Sequence, residues 1–192
     1  MGRGCLAGPV YAGAVVLDPD RTILGLDDSK RLSAQVREGL APRIASAALG
    51  VAIGAATPAE IDSLGIARAT ELAMRRAVEG LRRSGVDPDL LLIDAVALPG
   101  AEAEQRRFVG GDGRIAAIAA ASIVAKVARD RQMERLHLLY PHYGFDQHKG
   151  YGTPAHLAAL RRYGPSALHR LTFDGVLAAP VANAGARSGR AA

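Results

Sequence analysis

The feature that most constrains this chain is the stretch from Gly110 to Asp130, GGDGRIAAIAAASIVAKVARD. A glycine-rich turn holds Asp112, and the residues after it are Ala, Ile, Ser and Val on nearly every side of a predicted helix. A helix that is apolar all round belongs in a protein core. The stretch therefore predicts a rigid buried helix, running to about Leu139, with a carboxylate fixed near its start.

Around this helix, apolar runs and turn signals alternate in the manner of an α/β fold. Strands are predicted at Pro9–Leu17, Leu49–Ala55, Leu90–Ile93 and Arg106–Val109. Leu90–Ile93 is wholly apolar, which is typical of a strand buried on both faces of a mixed or parallel sheet.

Capping residues predict where the other helices begin. One helix is expected after Ser33, with Pro42 as a kink or break. A second begins at a capping box, Thr57-Pro58-Ala59-Glu60, and ends before Gly85 and Pro88. A short helix is expected between Thr153-Pro154 and Gly164.

The length of 192 residues, 49% of them hydrophobic, suits one domain with a sizeable core. We expect that domain to cover residues 1–177 and the Ala, Gly and Arg tail of residues 178–192 to be disordered. The chain has no run of eighteen apolar residues and no signal-peptide pattern, so we expect a cytoplasmic protein without membrane contact. Cys5 is the one cysteine and is expected to be buried; a metal site would use oxygen ligands.

The charge balance weakly favours a polyanionic partner, since the formal net charge is +5. Of the 24 Lys and Arg residues only three are lysines, namely Lys30, Lys126 and Lys149. Because a compact ammonium group is not interchangeable with a guanidinium, these positions are candidates for specific contacts.

Two carboxylates are placed where open α/β sheets hold their sites. Asp94 follows the strand Leu90–Ile93, and Asp112 follows the next predicted strand. Each taken alone is better explained as a turn or cap residue, because Asp is common in turns and caps. If both lie at one edge of the sheet, they suit a hard cation such as Mg²⁺ or Mn²⁺, as in two-metal phosphodiester chemistry.

The order of several motifs resembles the bacterial ribonuclease HII family, the type 2 ribonucleases H. The likeness runs from Gly2 to about Phe173. It rests on GRG (2–4), DDSKRLS (27–33), LLID (91–94), GGD (110–112), IAAASIVAKVARD (118–130), YGFDQHKGYGT (143–153) and GPSALHRLTF (164–173). The resemblance implies a ribonuclease H-like fold, in which a mixed β-sheet is flanked by helices and followed by a C-terminal helical region over the substrate groove.

The resemblance also implies residue roles. Asp94 and Asp112 match two of the four carboxylates that hold two divalent metals in the family. Tyr151 matches the tyrosine that stacks at the junction of RNA and DNA. The remaining expected nucleic-acid contacts are Gly2, Arg3, Gly4, Ser29, Lys30, Lys126, His148 and Lys149. From the residues alone, Lys126 is equally a surface lysine, and His156, His169 and Arg170 are expected to be structural.

One departure from the family pattern stands at the start of the sequence. The family's other two carboxylates are an adjacent Asp-Glu pair on the first strand, immediately before the residue that Met1 occupies here. By this comparison, the first strand and half of the metal ligands are missing from the sequence. We interpret Met1 as a start assigned too late, at a GTG valine codon.

The expected function is hydrolysis of the RNA strand of RNA–DNA hybrids, and cleavage at ribonucleotides within duplex DNA, by a monomeric enzyme using Mn²⁺ or Mg²⁺. Two metal ions would leave a 5′-phosphate on the product. Two alternatives stay open: a hybrid-binding protein without catalysis, and an inactive fragment.

Overall fold

The computed structural model describes residues 1–177 and has the predicted α/β architecture. The predicted disordered tail lies outside the described residues. The strands are β1 (Val10–Leu17), β2 (Ala48–Ala56), β3 (Leu90–Asp94) and β4 (Glu104–Phe108), and the helices are α1 (Ala34–Ala47), α2 (Pro58–Arg83), α3 (Ala116–Leu139), α4 (Phe145–His148) and α5 (Pro154–Tyr163).

The strands form two pairs within residues 1–177. β1 and β2 are antiparallel, with Val10 opposite Ala56, whereas β3 and β4 are parallel, with Leu90 opposite Glu104. The central helix α3 packs against β1 and β3, and α2 covers β1 and β2. Gly13 allows the close approach of β1 to α3, because a Cβ there would lie 2.3 Å from the carbonyl oxygen of Ala121.

The helix starts follow the capping signals. Ser33 accepts a hydrogen bond from the Val36 amide, and Thr57 and Glu60 form the reciprocal capping box. Of the two alternatives expected at Pro42, a kink or a break, the break is wrong, because α1 continues through it to Ala47. Within the described residues, no helix combines the length and apolar character needed to cross a bilayer.

Between the two strand pairs lies a cavity of about 910 Å³, which we call the interstrand slot. Its two long walls are β1, from Tyr11 to Leu17, and β3, from Leu90 to Asp94. Helices close its other sides through the following residues: Thr70, Met74, Val78, Leu81, Ala117, Ile118, Ala121, Ser122 and Ala125. Within the described residues, the edges of β1 and β3 that border the slot are paired with no strand.

The slot explains why one burial prediction is wrong. β3 was expected to be buried on both faces, but only Ile93 is buried, and Leu90 is 37% exposed. An apolar run predicts burial only if another element covers it, and β3 has one strand neighbour in residues 1–177.

The segment after α3 shows the opposite case. Aromatic and histidine residues are concentrated between Tyr140 and Gly152, a composition that favours an exposed functional surface. Instead Tyr143 and Phe145 are core residues, packed with Met133 and Leu160. His156 and His169 are also buried, in agreement with their predicted structural role.

Candidate active site

Asp94 and Asp112 are brought together by one hydrogen bond. Asp94 is the last residue of β3, and Asp112 lies in a 3₁₀ turn, Gly111–Gly113, that precedes α3. The Oδ1 atom of Asp94 accepts from the Gly111 amide at 3.2 Å. Because Gly111 is adjacent to Asp112, this bond holds both carboxylates at the same end of the interstrand slot, which both residues line.

The surrounding backbone is held in uncommon conformations. Ala95 directly follows Asp94 and has a φ of 64°, in the left-handed region that residues with a Cβ seldom adopt. Its amide donates to the carbonyl oxygen of Phe108 at 2.9 Å, which fixes the turn at the end of β3. A Cβ at Gly111 would lie 2.6 Å from Ile118 Cδ1, so a larger residue here would force the end of the Ile118 side chain to move.

Lys30 is the cationic partner of Asp112. Its Nζ atom donates to Asp112 Oδ2 at 3.0 Å and lies 3.6 Å from Asp28 Oδ1. The hydrogen bond with Asp112 raises the pKa of Lys30 above its ordinary value. The side chain of Asp112 is 8% exposed and that of Lys30 is 68% exposed, so the ammonium is the solvent-exposed member of this pair.

The Gly2-Arg3-Gly4 segment also lines the slot, and two buried arginines hold the chain around it. Arg170 donates to the carbonyl oxygens of Gly2 and Arg3 at 2.7 and 2.9 Å. Arg129 donates to the carbonyl oxygens of Ala7, Pro9 and Lys149. Burial lowers the pKa of Arg170 to about 10.

Sequence reasoning missed the part that Arg129 plays here and treated Arg170 only as structural. Their partners are main-chain carbonyl oxygens from distant parts of the chain. Every residue presents the same main-chain carbonyl group, whatever its side chain. No side-chain pattern therefore marks these contacts.

Tyr151 lies at the same cavity as the carboxylates. It is 43% exposed and lines the slot near the Gly-Arg-Gly segment. The guanidinium carbon of Arg129 lies 6.0 Å from the centre of its ring. Burial of its hydroxyl and the neighbouring Cys5 raise the pKa of Tyr151.

Four other predicted site residues do not line this cavity. Ser29 is fully buried, and Lys126 is paired with Asp130 at 2.7 Å. His148 contacts the Tyr143 carbonyl oxygen through Nε2 at 2.7 Å, and Lys149 is paired with Glu134 at 2.7 Å. The structure therefore brings together Gly2, Arg3, Gly4, Lys30, Asp94, Asp112 and Tyr151.

A divalent cation would find suitable ligand chemistry in Asp94 and Asp112, because carboxylate oxygens bind Mg²⁺ and Mn²⁺. Within residues 1–177, however, no group of three or more His, Cys, Asp or Glu side chains is arranged to hold a metal ion. The described residues supply two ligands and do not by themselves complete a metal site.

Comparisons with known proteins identify the family of this chain. The family model described as Ribonuclease HII matches residues 1–176. The Ribonuclease HII of Bordetella avium is 55% identical over 172 residues, which cover 90% of this chain and 84% of that protein.

Solved structures share the fold. The ribonuclease H2 of Pyrococcus horikoshii OT3 has a TM-score of 0.75 and 26% identity, with 92% of each chain covered. The Bst-RNase HIII solved in complex with Mn²⁺ has a TM-score of 0.71 and 18% identity, covering 92% of this chain and 65% of that one. With a family model that spans nearly all the described residues and relatives above half identity, this chain belongs to the ribonuclease HII family.

Proposed function

We propose that this protein hydrolyses the RNA strand of RNA–DNA hybrids and cleaves at ribonucleotides embedded in duplex DNA. Membership of the ribonuclease HII family makes it a ribonuclease H type endoribonuclease. The observation that carries the finer proposal is the hydrogen bond from Gly111 to Asp94. It fixes Asp94 and Asp112 at the mouth of a cavity shared with Tyr151.

Substrate binding is assigned to the groups around these carboxylates. Gly2 and Gly4 carry no side chain and let a nucleic-acid backbone approach, and Arg3 and Lys30 supply charge for phosphates. The exposed ring of Tyr151 offers a stacking surface beside the cleavage site. A 2′-hydroxyl distinguishes RNA from DNA, so recognition of the ribonucleotide is expected where Tyr151 contacts the sugar.

Mn²⁺ or Mg²⁺ is the proposed cofactor, and the Mn²⁺ in the Bst-RNase HIII structure supports this choice. Bound cations would supply the activation of water and the stabilisation of charge on the departing 3′ oxygen, leaving a 5′-phosphate. Asp94 and Asp112 would hold them. Lys30, with its exposed side chain, would exchange Asp112 for a substrate phosphate.

The test is cleavage of a duplex with one ribonucleotide, with Mn²⁺ or Mg²⁺ present. Asp94→Asn and Asp112→Asn keep the size of the side chain and remove its charge. In a form that also carries the Asp-Glu pair before Met1, we expect each to lower cleavage by about 100-fold or more, with hybrid binding kept within about threefold. Asp89→Asn, at the other end of β3, is the matched control. Full cleavage by Asp94→Asn would refute the assigned role.

A second candidate is a hybrid-binding protein without catalysis. It is favoured by the finding that residues 1–177 hold no complete group of metal ligands. Cleavage by the protein of residues 1–192 would exclude this candidate. Salt-dependent hybrid binding without cleavage, at any Mn²⁺ concentration, would establish it.

The interstrand slot supports a way to complete the site: one more β-strand between β1 and β3. Met1 already pairs with β1, because its carbonyl oxygen accepts from the Tyr11 amide at 3.0 Å and its amino group donates back to Tyr11. Such reciprocal bonds are those of an antiparallel ladder. Polypeptide joined to Met1 would continue along β1 towards Leu17, and its residues nearest Met1 would lie closest to the site.

This completion is tested by an N-terminal extension of eight apolar residues followed by Asp-Glu, joined to Met1. The control extension ends in Asn-Gln. We expect both to protect the amides of β1 from hydrogen exchange, but only the first to bind Mn²⁺ by calorimetry and to raise cleavage. Unprotected amides in both extended proteins would exclude a strand in the slot.

A further inference from the structure

A chain of hydrogen bonds runs through the core to the main chain of Tyr151. Ser166 donates its amide to His169 Nδ1 at 2.9 Å, and the Nε2 atoms of His169 and His156 lie 3.0 Å apart. The Nδ1 atom of His156 lies 2.8 Å from the carbonyl oxygen of Tyr151. We call this series, from Ser166 to Tyr151, the histidine relay.

The direction of the relay follows from its first bond. An amide can only donate, so His169 Nδ1 accepts and carries no proton. A neutral imidazole then has its proton on Nε2, which His169 donates to His156. Since His156 Nε2 accepts, its proton is on Nδ1 and is donated to Tyr151. Each ring is thereby fixed in one tautomer.

Burial keeps both rings in this neutral form. His156 is 0% exposed and His169 is 2% exposed. Burial lowers the pKa of each to about 4. A second proton on His156 would go to Nε2 and face the N–H of His169 across the 3.0 Å contact. A second proton on His169 would go to Nδ1 and face the Ser166 amide at 2.9 Å, so the relay exists only with neutral rings.

The main chain of Tyr151 is fixed from both sides. Its carbonyl oxygen also accepts from the Thr153 amide at 2.8 Å, and its own amide donates to the His148 carbonyl oxygen at 2.9 Å. His148 stacks on His156, with ring centres 4.4 Å apart and planes 14° apart. With its main chain fixed in this way, Tyr151 lines the interstrand slot, which Asp94 also lines.

We infer that His156 and His169 are positioning residues for Tyr151, setting the place of its ring at the proposed ribonucleotide site. The inference rests on the proposed function, since that gives Tyr151 a substrate to contact. A ring tied through its main chain to buried groups loses little freedom when a substrate stacks on it. A purely structural role would instead affect folding and leave the ring position unchanged.

Two substitutions at one position separate these roles. The side-chain amide of His156→Asn can replace Nδ1 and keep the bond to Tyr151, whereas that of His156→Gln can replace Nε2 and keep the bond to His169. Both remove the ring, so we expect similar losses of melting temperature. We expect exchange of the Thr153 amide, which shares the Tyr151 carbonyl oxygen, to accelerate about tenfold in His156→Gln only. Equal acceleration in both variants would overturn the relay.

Binding supplies the second measurement. With EDTA present, we expect His156→Gln to weaken binding of a duplex with one ribonucleotide by about three- to tenfold, and His156→Asn by less than about twofold. In a Tyr151→Ala background, His156→Gln should cause no further loss. An undiminished effect of His156→Gln in that background would show that it does not act through Tyr151.

The inference and the proposed function fail in different ways. If Tyr151→Ala binds the ribonucleotide duplex as well as the parent protein does, the proposed role of Tyr151 is wrong, and the positioning role falls with it. If Tyr151→Ala weakens binding but His156→Gln does not, the proposed role stands and the positioning role alone is overturned.

Discussion

The interstrand slot and the histidine relay differ in how the polarity of their side chains relates to burial. The slot is walled by apolar strands, yet the residues of β1 after Val10 are only half-buried. The relay consists of polar rings, yet it is buried and each of its ring nitrogens has a partner. The burial of a side chain therefore depends on which elements pack over it. A polar group can be buried when it is hydrogen-bonded.

The two regions should differ most in how they respond to loss of a leucine. Leu160 is fully buried near the relay, whereas Leu91 lines the slot. We expect Leu160→Ala to lower the free energy of unfolding by about 2 to 5 kcal/mol, because it creates a cavity in a packed core. Leu91→Ala should cost roughly 1 kcal/mol or less, since its side chain already borders open space. Urea melts measure both, and equal losses would break the comparison.

The relay should make stability depend on pH between about 6.5 and 4. Burial lowers the pKa of His156 and His169 from 6.5 to about 4, so in this range the unfolded chain binds protons that the folded protein does not. Stability therefore falls as the pH falls, by about 2.5 kcal/mol for each ring, or about 5 kcal/mol for the two rings. Urea melts at pH 7 and 4.5 measure the loss, with the exposed His142→Asn as control.

The carboxylate of Glu60 loses its contribution mostly below that range. The bonds from Arg76 and Thr57 lower its pKa from 4.5 to about 2, so the stability that it contributes falls between about pH 4.5 and 2. A variant with both His156→Gln and His169→Gln should lose most of the slope between pH 6.5 and 4. An unchanged slope would assign the dependence to other groups.

A group that lines the slot should make stability depend on pH to a smaller extent and in a different pH range. Burial lowers the pKa of the Met1 amino group from 8.0 to about 6, so between these values the unfolded amine is protonated and the folded amine is not. Stability should rise with pH across this range by about 2 kcal/mol. Acetylation of the amino group removes the charge and should remove the rise. Persistence of the rise after acetylation would place its origin outside the slot.

Local signals in the sequence predicted much of the secondary structure. The capping residues Ser33 and Thr57 mark the starts of α1 and α2 because their side chains bond amides only three residues away. Proximity of Asp94 and Asp112 was also predictable, since each follows a strand of the same parallel pair. Pro42 does not break α1, because the tertiary packing of the helix, with Ile44 buried after the proline, outweighs one lost backbone bond.

The sequence by itself determined the order of the elements, the family and the two carboxylates that converge, because those depend on local patterns and on motifs with fixed spacing. Only the tertiary structure decided that β1 and β3 border a slot, that Arg129 and Arg170 hold the main chain around Gly-Arg-Gly, and that two buried histidines reach Tyr151. The arginine and histidine contacts are hydrogen bonds to main-chain carbonyl groups of distant residues, and the slot is a space between distant strands. Neither a main-chain carbonyl group nor an empty space depends on a particular side chain, so these features cannot be predicted from the sequence pattern.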